Sequence, residues 1–595
     1  MLQQRNLILA IVLSMAVLFG FEYFFGAKQP PMTAQQQDSA QMAASSNGQM
    51  AAPSSVQAPG QSPVAAPQVP AQPGAAVPTP GGMTPGAASL SREEALAADI
   101  SPRIGIDTAR LHGSIRLRGA RIDDLSLVDY RETVDPQSPE ISLLSPPGAP
   151  LPYYAEFGWV AGTPGVKVPD ADTLWQADRG ALGVDAPVTL TWDNGEGLRF
   201  IRRIAIDRDF MFSITQAVEN IGAGAVTLFP YGLVSRINTP ALLNYYILHE
   251  GPLGVFDGTL KEVKYSALKD DGEVKHTSTG GWMGITDKYW LTALVTDQSM
   301  PVTGRFLYQP RDGRDGYQAD FLGAAFTVEP GGRIETSNHL FSGAKEVKLL
   351  DRYTDELGIK NFDLAIDFGW FYFMTKPFFL SIQFLHGILG NMGLAILAFT
   401  VVLKLVFFPL ANKSYRSMSK MKLLQPELKK LQERFKDDRA RLNQEMMSLY
   451  KKEQVNPLSG CLPIVIQIPV FFALYKVLFV SIEMRHEPFY GWIRDLAAPD
   501  PTTIFNLFGL IPWDPPNMLM LGAWPLIMGV TMWMQQKLNP TPADPTQAKI
   551  MMFLPIMFTF MLAHFAAGLV IYWTWNNLLS ITQQWVIMKR MGAKT

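Results

Sequence analysis

Polar side chains interrupt the long apolar runs in the C-terminal third of the sequence. Lys404 lies inside one run and Thr400 precedes it by four residues, so both lie on one face of a helix. Gln467 lies in the next run, and Asn576 and Asn577 lie near the middle of the last one. A Lys at the centre of a membrane helix costs about 2.5–3.5 kcal/mol on insertion scales. The chemistry of these groups is non-covalent, since an ammonium attracts carboxylates and amides exchange hydrogen bonds.

The depth of Lys404 leaves two interpretations open. Lys404 precedes Leu410 by six residues, which places it roughly 9 Å inside the cytoplasmic boundary of the predicted helix. The first interpretation is snorkelling, in which the four-carbon stem lifts the ammonium to the interface. The second is a polar, water-filled cavity, which the polar residues of the other runs together indicate. Lys476, near the outer end of its own run, is predicted to snorkel.

Neither the motifs nor the composition predicts covalent catalysis. No phosphate-cradling glycine loop, nucleophile elbow or His-Glu-x-x-His pattern occurs in the sequence. The single cysteine, Cys461, excludes an intrachain disulfide and a site with several cysteine ligands. A net charge of −2 excludes a strongly basic nucleic-acid-binding protein. We therefore expect no catalytic residue, no cofactor, no metal and no specific nucleic acid.

Apolar segments near both ends of the chain predict six transmembrane helices, with a polar middle between the first and the second. Asn412–Ser459 contains twelve Lys or Arg, whereas Glu483–Pro516 contains two. By the positive-inside rule the first loop is cytoplasmic and the second is outside, which also places both chain ends in the cytoplasm. The five C-terminal helices are predicted at Leu389–Leu410, Leu462–Ile482, Met518–Gln536, Ile550–Phe565 and Gly568–Met588.

The N-terminal part of the sequence predicts an anchor followed by a linker. Residues 1–28 contain an apolar run without a small-residue cleavage site, so we expect an uncleaved membrane anchor. Residues 29–91 are rich in proline, alanine and glutamine and contain one charged residue, Asp38. Such a segment cannot bury enough apolar surface to fold, so a disordered linker is predicted.

Residues 92–355 are predicted to form a large all-β sandwich domain outside the cytoplasm. Short alternating runs occur at Ser114–Leu127, Arg203–Val218 and Trp290–Thr296, separated by Gly, Pro, Asp and Asn. This period of two is typical of half-buried strands. Many short strands without repeated helical crossovers favour an antiparallel sandwich.

The remaining boundaries follow from hydropathy and charge. Residues 356–386 are predicted to form an interfacial amphipathic helix that is broken at Lys376-Pro377. Residues 387–411 are predicted to form the second transmembrane helix. Residues 412–459 predict a cytoplasmic hairpin of two amphipathic helices, with Pro426 kinking or restarting the first. Residues 460–595 hold transmembrane helices three to six and a short basic tail.

Several stretches of the C-terminal 240 or so residues resemble the YidC membrane-protein insertase family in its Gram-negative bacterial form. The similarity lies in KMKLLQPELKKLQERF (420–435), NPLSGCLPIVIQIPVFFALY (456–475), DPTQAKIMMFLPIMF (544–558) and GLVIYWTWNNLLSITQQ (568–584). It implies an inner-membrane protein whose core bundle of five helices encloses a hydrophilic groove, open to cytoplasm and lipid. It also implies that the β domain is periplasmic.

The resemblance also implies roles for individual residues. Lys404 takes the place of a groove cation that is usually Arg and attracts acidic residues of the translocated substrate segment. Further groove positions and an apolar slide, along which the entering helix leaves, match residues of this sequence. The groove matches are Thr400, Gln467 and Tyr572, with Trp573 where many members have Tyr, and the slide matches are Val470 and Phe471. Asn576 and Asn577 are added to the predicted groove as polar residues of the last apolar run.

The function that the resemblance implies is insertion, folding and assembly of membrane proteins, alone or with the Sec translocon. Partners would be nascent membrane proteins, the Sec translocon, ribosomes in transient contact, and membrane lipids. Two other classes of function remain open from the residues alone. One is a secondary transporter that uses Lys404 as a counter-ion, and the other is a membrane-anchored sugar-modifying enzyme in the β domain.

Overall fold

The computed structural model describes residues 77–78, 90–243, 247–310, 313–369, 371–435, 438–455, 462–513, 515–516, 519–539 and 545–591. All of them belong to one compact unit, Pro73–Thr595. The predicted N-terminal anchor lies outside the described residues. The same is true of the predicted linker, except for Val77, Pro78, Leu90 and Ser91.

The first sheet of the β domain has eleven strands among the described residues. Nine of them follow the spatial order β14-β17-β18-β11-β5-β3-β2-β1-β7, while β4 pairs with β3 and β19 with β11. Its strands are β1 (Arg103–Asp107), β2 (Leu111–Arg116), β3 (Arg121–Arg131), β4 (Glu140–Leu144), β5 (Tyr153–Ala161), β7 (Ala181–Leu182), β11 (Val226–Ile237), β14 (Glu273–Thr279), β17 (Pro301–Tyr308), β18 (Gly316–Gly323) and β19 (Phe326–Val328).

The second sheet has nine strands in the described part of the chain, in the order β13-β12-β15-β16-β20-β10-β9-β8-β6. Pairing in both sheets is antiparallel except between β1 and β7. Its strands are β6 (Gln176–Ala177), β8 (Val188–Asp193), β9 (Leu198–Ile206), β10 (Met211–Asn220), β12 (Gly251–Phe256), β13 (Thr259–Glu262), β15 (Trp282–Thr286), β16 (Trp290–Val295) and β20 (Arg333–Ala344).

Alternating side chains of the two sheets build a shared core, which confirms the predicted all-β sandwich. The run with a period of two at Arg203–Val218 spans parts of β9 and β10, which pair as a hairpin with Ile204 opposite Ile214. Both side chains are buried in the core. Because successive residues of a strand point to opposite faces, this spacing directs one face of each strand inward.

Helices make up the C-terminal region, and three short helices accompany the β domain. The β-domain helices are α1 (Arg92–Ala98), α2 (Tyr265–Asp271) and α3 (Val347–Leu357). The C-terminal helices are α4 (Tyr372–Leu389), α5 (Met392–Val406), α6 (Phe408–Leu423), α7 (Gln425–Arg434), α8 (Arg439–Lys452), α9 (Leu462–Val480), α10 (Ala523–Leu538), α11 (Pro545–Leu562) and α12 (Ala567–Arg590).

Two proline residues, Pro377 and Pro409, affect the boundaries of the helices that follow the β domain. Helix α4 continues through Pro377, so the predicted break at Lys376-Pro377 is wrong. The Nζ of Lys376 lies 2.8 Å from carboxylates of Asp351 and Asp363, and these ion pairs fasten the start of the helix despite the lost hydrogen bond. The predicted helix Leu389–Leu410 instead ends at Val406, because Pro409 lies in the first turn of a new helix, α6.

Lys476 joins the helical region to the β domain. Its Nζ lies 2.8 Å from Asp367 Oδ1 and donates to the backbone carbonyls of Asp367, at 3.0 Å, and Ile247. The prediction that Lys476 snorkels is therefore wrong, because the ammonium is satisfied by protein groups. Nearby, Arg485 donates to the carbonyls of Arg131 at 2.5 Å and Glu132 at 3.1 Å. These contacts fix the β domain beside the C-terminal end of α9.

Candidate functional site

A cavity lies between four helices of the C-terminal region, at the bend that separates α5 from α6. Its volume is about 60 Å³. A cavity needs a volume of roughly 10–15 Å³ to hold one water molecule. The cavity therefore holds a few waters or the tip of one side chain. It is lined by Thr400, Leu403, Lys404, Phe407, Leu410, Ala411, Tyr415, Gln467, Val470, Tyr572 and Asn576.

The ammonium of Lys404 reaches from α5 to α12 across this cavity. Lys404 Nζ donates a hydrogen bond to Ser580 Oγ at 2.7 Å. The Ser580 hydroxyl in turn donates to the backbone carbonyl of Asn576 at 2.8 Å. No carboxylate of the described residues pairs with Lys404. The cation has two further N–H donors and no acidic neighbour there, so it can receive a carboxylate from outside the chain.

Polar groups from three helices surround this cation. On α5, the Thr400 hydroxyl donates to the carbonyl of Ile396 at 2.7 Å, which leaves its oxygen lone pairs available as acceptors. Tyr572 and Asn576 lie four residues apart on one face of α12, and both are buried. Gln467 reaches the cavity from α9. The structure thus brings together five of the predicted groove residues.

Three other predicted residues, Asn577, Trp573 and Phe471, are absent from the lining of the cavity. Asn577 Nδ2 donates to Thr531 Oγ1 of α10 at 3.1 Å, so this amide joins two helices. The ring of Trp573 meets the ring of Phe471 edge to face, with centroids 4.7 Å apart. Of the two predicted slide residues, Val470 lines the cavity and Phe471 packs against Trp573.

Sequence reasoning missed Tyr415, which lines the cavity from α6. The sequence pattern assigned this residue to the cytoplasmic hairpin, beyond the end of the second transmembrane helix. Helices α5 and α6 are bent by 70° relative to one another, and the bend directs the start of α6 back over α12. Tyr415 there contacts Ile587 of α12. Pro409 was the available signal, since a proline two residues into a helix marks its beginning.

The arrangement suits electrostatic attraction. Its polar groups are a cation, amides and hydroxyls, set among Leu, Phe, Ala and Val side chains that lower the local dielectric constant. In the part of the chain that the structure describes, no group of three or more His, Cys, Asp or Glu side chains could hold a metal ion. Such a site can hold a carboxylate by charge and hydrogen bonds.

A helix that crosses a bilayer must be both long and apolar. None of the described helices alone meets both conditions. The bent pair of Met392–Val406 and Phe408–Leu423 meets both conditions when its two helices are taken together. The apolar segments Gln467–Val480 of α9 and Ala548–Leu562 of α11 are shorter.

Comparisons with known proteins cover almost the whole chain. Residues 103–381 match the family model of the YidC periplasmic domain, and residues 384–594 match that of the 60Kd inner membrane protein. The membrane protein insertase YidC of Methylobacterium sp. (strain 4-46) is 53% identical over 99% of this chain and 96% of its own length. That of Bradyrhizobium diazoefficiens (strain USDA 110) is 51% identical over 100% of this chain and 97% of its own length.

Among solved structures, an active YidC insertase with its first transmembrane domain resolved aligns with a TM-score of 0.35 and 16% identity. That alignment covers 82% of this chain and 92% of the other. The family models and the identities over nearly the full length agree with one another. The chain therefore belongs to the YidC family of membrane protein insertases.

Proposed function

We propose that the cavity around Lys404 is where the insertase receives an acidic side chain of the protein that it inserts. The observation that carries this proposal is the Lys404 ammonium, which faces a cavity with Ser580 as its hydrogen-bond acceptor and no carboxylate among the described residues. An entering acidic residue would exchange a water-exposed carboxylate for a charge-assisted hydrogen bond to Lys404. Thr400, Gln467, Tyr572 and Asn576 would complete the polar surroundings.

The free energy for insertion comes from the entering helix. Each Leu, Ile, Phe or Val contributes about 0.3–0.6 kcal/mol at the membrane centre, so some twenty such residues contribute roughly 10 kcal/mol. This exceeds the cost of about 2.5–3.5 kcal/mol for one charged residue at the same depth. No covalent step is required. The family's activity is insertion of membrane proteins and not an enzymatic reaction.

We place the slide on α9, at Val470 and Phe471. The cavity is too small for a helix of 10–12 Å diameter, so the entering helix must remain outside it. Val470 borders the cavity, and Phe471 lies one residue further on α9 beside Trp573. An acidic side chain at Lys404 would place the adjoining apolar helix beside these two residues, within reach of lipid.

The family is one of bacterial inner-membrane proteins, and its β domain is periplasmic. The finer topology that we propose has six transmembrane helices with both chain ends in the cytoplasm. The charge difference between the loops supports it, since twelve Lys or Arg lie in Asn412–Ser459 and two in Glu483–Pro516. The domain boundaries proposed from the sequence belong to the same topology.

Nascent membrane proteins are the substrates, and we propose the Sec translocon, ribosomes and membrane lipids as further partners. Helices α7 and α8, in the predicted cytoplasmic hairpin, carry Lys429, Lys430, Arg434, Lys451 and Lys452. A surface of this charge attracts ribosomal RNA or anionic lipid without reading a sequence.

The proposal is tested by insertion into liposomes that contain only this protein. The substrates are a matched pair with the same apolar helix, and the translocated segment carries either one Asp or Asn at the same position. We expect Lys404→Ala to lower the insertion rate of the Asp substrate at least tenfold and to leave the Asn substrate within about twofold.

Two control variants separate charge from hydrogen bonding. Lys404→Arg keeps the charge and should retain insertion of the Asp substrate, whereas Ser580→Ala removes only the internal acceptor and should not lower it. If Lys404→Ala slows both substrates equally, the cation does not act on the acidic side chain.

A further inference from the structure

The outer face of the first sheet carries an apolar patch, which Val77 covers. Tyr154 of β5 and Tyr231 and Leu233 of β11 form a cluster with Val77 that is separate from the sandwich core. Their strand neighbours point the other way, since Tyr153 and Val234 lie in the core. Val77 is only 5% exposed, although the sequence around it is typical of an unfolded linker.

The backbone of Val77 and Pro78 is held by side chains of the sheet. Arg305 Nη2 donates to the Val77 carbonyl at 3.4 Å, and Gln318 Nε2 donates to the Pro78 carbonyl at 3.1 Å. Both donors are positioned by the buried carboxylate of Asp320, which accepts from Arg305 Nε at 3.0 Å and from Gln318 Nε2 at 2.7 Å. These donors are therefore held in place independently of the linker.

Beside Pro78 lies a further cavity of about 300 Å³. Trp159, Tyr154 and Tyr231 line it, and at its base Glu156 accepts from Arg121 Nε at 2.6 Å and from the Tyr231 hydroxyl at 2.7 Å. Aromatic side chains with side-chain donors aimed at backbone carbonyls form the common receptor for extended, proline-containing peptides. Proline has no N–H, so such a peptide is recognised through its carbonyls and its apolar surface.

We propose that this face of the β domain is a peptide-binding site and that its occupant is the chain's own Val77–Pro78 segment. The site therefore holds the predicted linker to the β domain at Val77 and Pro78, ahead of Leu90 in the chain. Because the occupant is covalently attached, its effective concentration is in the millimolar range, and weak contacts suffice to keep it bound. This role is independent of the cavity at Lys404.

The linker contains a second Val-Pro pair, Val69-Pro70, which provides a matched control. The experiment uses the full chain with the photo-crosslinking amino acid benzoylphenylalanine in place of Leu322, a half-buried residue that packs on the cluster around Val77. The parent chain, Val77→Ile, Val77→Asp and Val69→Asp are compared. Crosslinked peptides are identified by mass spectrometry, and the same set is repeated with the photo-probe at Val160.

We expect crosslinks to residues 73–82 in the parent chain and in Val77→Ile, because isoleucine keeps the apolar contact. Val77→Asp should lower their yield at least fivefold, since an aspartate buried on the patch would lose its hydration. Val69→Asp should leave the yield within twofold. The proposal is overturned if neither probe reaches residues 73–82, if Val77→Asp lowers the yield less than fivefold, or if Val69→Asp lowers it more than twofold.

Discussion

The junction between the β domain and the helices contains a carboxylate that titrates near neutral pH. Glu483 follows α9, and its Oε1 accepts a hydrogen bond from Val347 N at 2.9 Å. This N–H begins α3, and the preceding Glu346 supplies no side-chain cap. The second oxygen, Oε2, is shielded from solvent and has no hydrogen-bond partner in the described part of the chain. Burial raises the pKa of Glu483 from its ordinary 4.5 to about 7.

The raised pKa makes the junction less stable as the pH increases. The folded state holds this proton more tightly than the unfolded state, so the stabilisation is fully present below pH 4.5 and is lost as the pH rises to about 7. One pH unit between the two pKa values corresponds to about 1.4 kcal/mol, so the loss above pH 7 is about 3 kcal/mol. Glu483→Gln removes the titration and keeps an oxygen acceptor for Val347 N–H.

We therefore expect Glu483→Gln to unfold at a higher temperature than the parent chain at pH 8, by several degrees, and at nearly the same temperature at pH 5. The measurement is the thermal unfolding midpoint of the full chain in detergent at both pH values. Glu346 and Lys348, whose charges act on Glu483, are present in both proteins, so their titration cancels in the difference.

Glu483→Ala serves as the second variant in this experiment. It removes the acceptor as well as the charge, and the unpaired Val347 N–H costs about 1–3 kcal/mol. Its midpoint should therefore lie below that of Glu483→Gln at both pH values. If the gap between Glu483→Gln and the parent chain is the same at pH 5 and pH 8, the buried charge is not the cause.

Two further pairs of variants test the packing of the helices. A Cβ at Gly393 would clash with the ring of Phe489, whereas one at Gly387 meets nothing within 4 Å. Gly393→Ala should thus lower the unfolding free energy by about 1–3 kcal/mol, and Gly387→Ala should raise it by about 0.5–1 kcal/mol. Asn577→Ala should lower the unfolding midpoint and spare insertion per folded molecule, whereas Asn576→Ala should slow insertion of substrates with an acidic segment severalfold. Equal insertion rates for these two variants would contradict the assignment of Asn576 to the groove.

The β domain was predictable because its strands depend on local alternation of apolar side chains. The contacts that hold the β domain against the helices were not predictable from the sequence. Lys476 and Asp367 are 109 residues apart in sequence, and nothing in the local pattern around Lys476 distinguishes an ion pair from a snorkelling side chain. The difference depends on where the domain lies above the helices, which local pattern does not encode.

Most residues of the candidate site could be predicted from the sequence, but their arrangement in space could be predicted only in part. Neighbouring residues of a helix are rotated by 100°, so Tyr572 and Asn576 share one face of α12 while Trp573 and Asn577 share another. From this spacing, the sequence alone could have assigned Tyr572 and Asn576 to one face of the helix and Trp573 and Asn577 to another. The place of Tyr415 could not have been found in this way, since it depends on the angle of 70° between α5 and α6.

The size of the cavity determines what the cation can contribute to insertion. In the proposed mechanism a cavity of about 60 Å³ admits one side chain, so Lys404 would meet acidic residues singly while the entering helix stays in lipid. Two opposite charges 4 Å apart gain about 4 kcal/mol at an effective dielectric constant of 20. This is less than the roughly 10 kcal/mol from burial of a fully apolar helix of some twenty residues. Under this proposal the cation would favour the first step, when the acidic segment leaves water and little apolar surface is yet buried. We expect substrates with short or weakly apolar helices to depend on Lys404 most. Burial of such a helix offsets less of the free-energy cost of moving the acidic segment out of water.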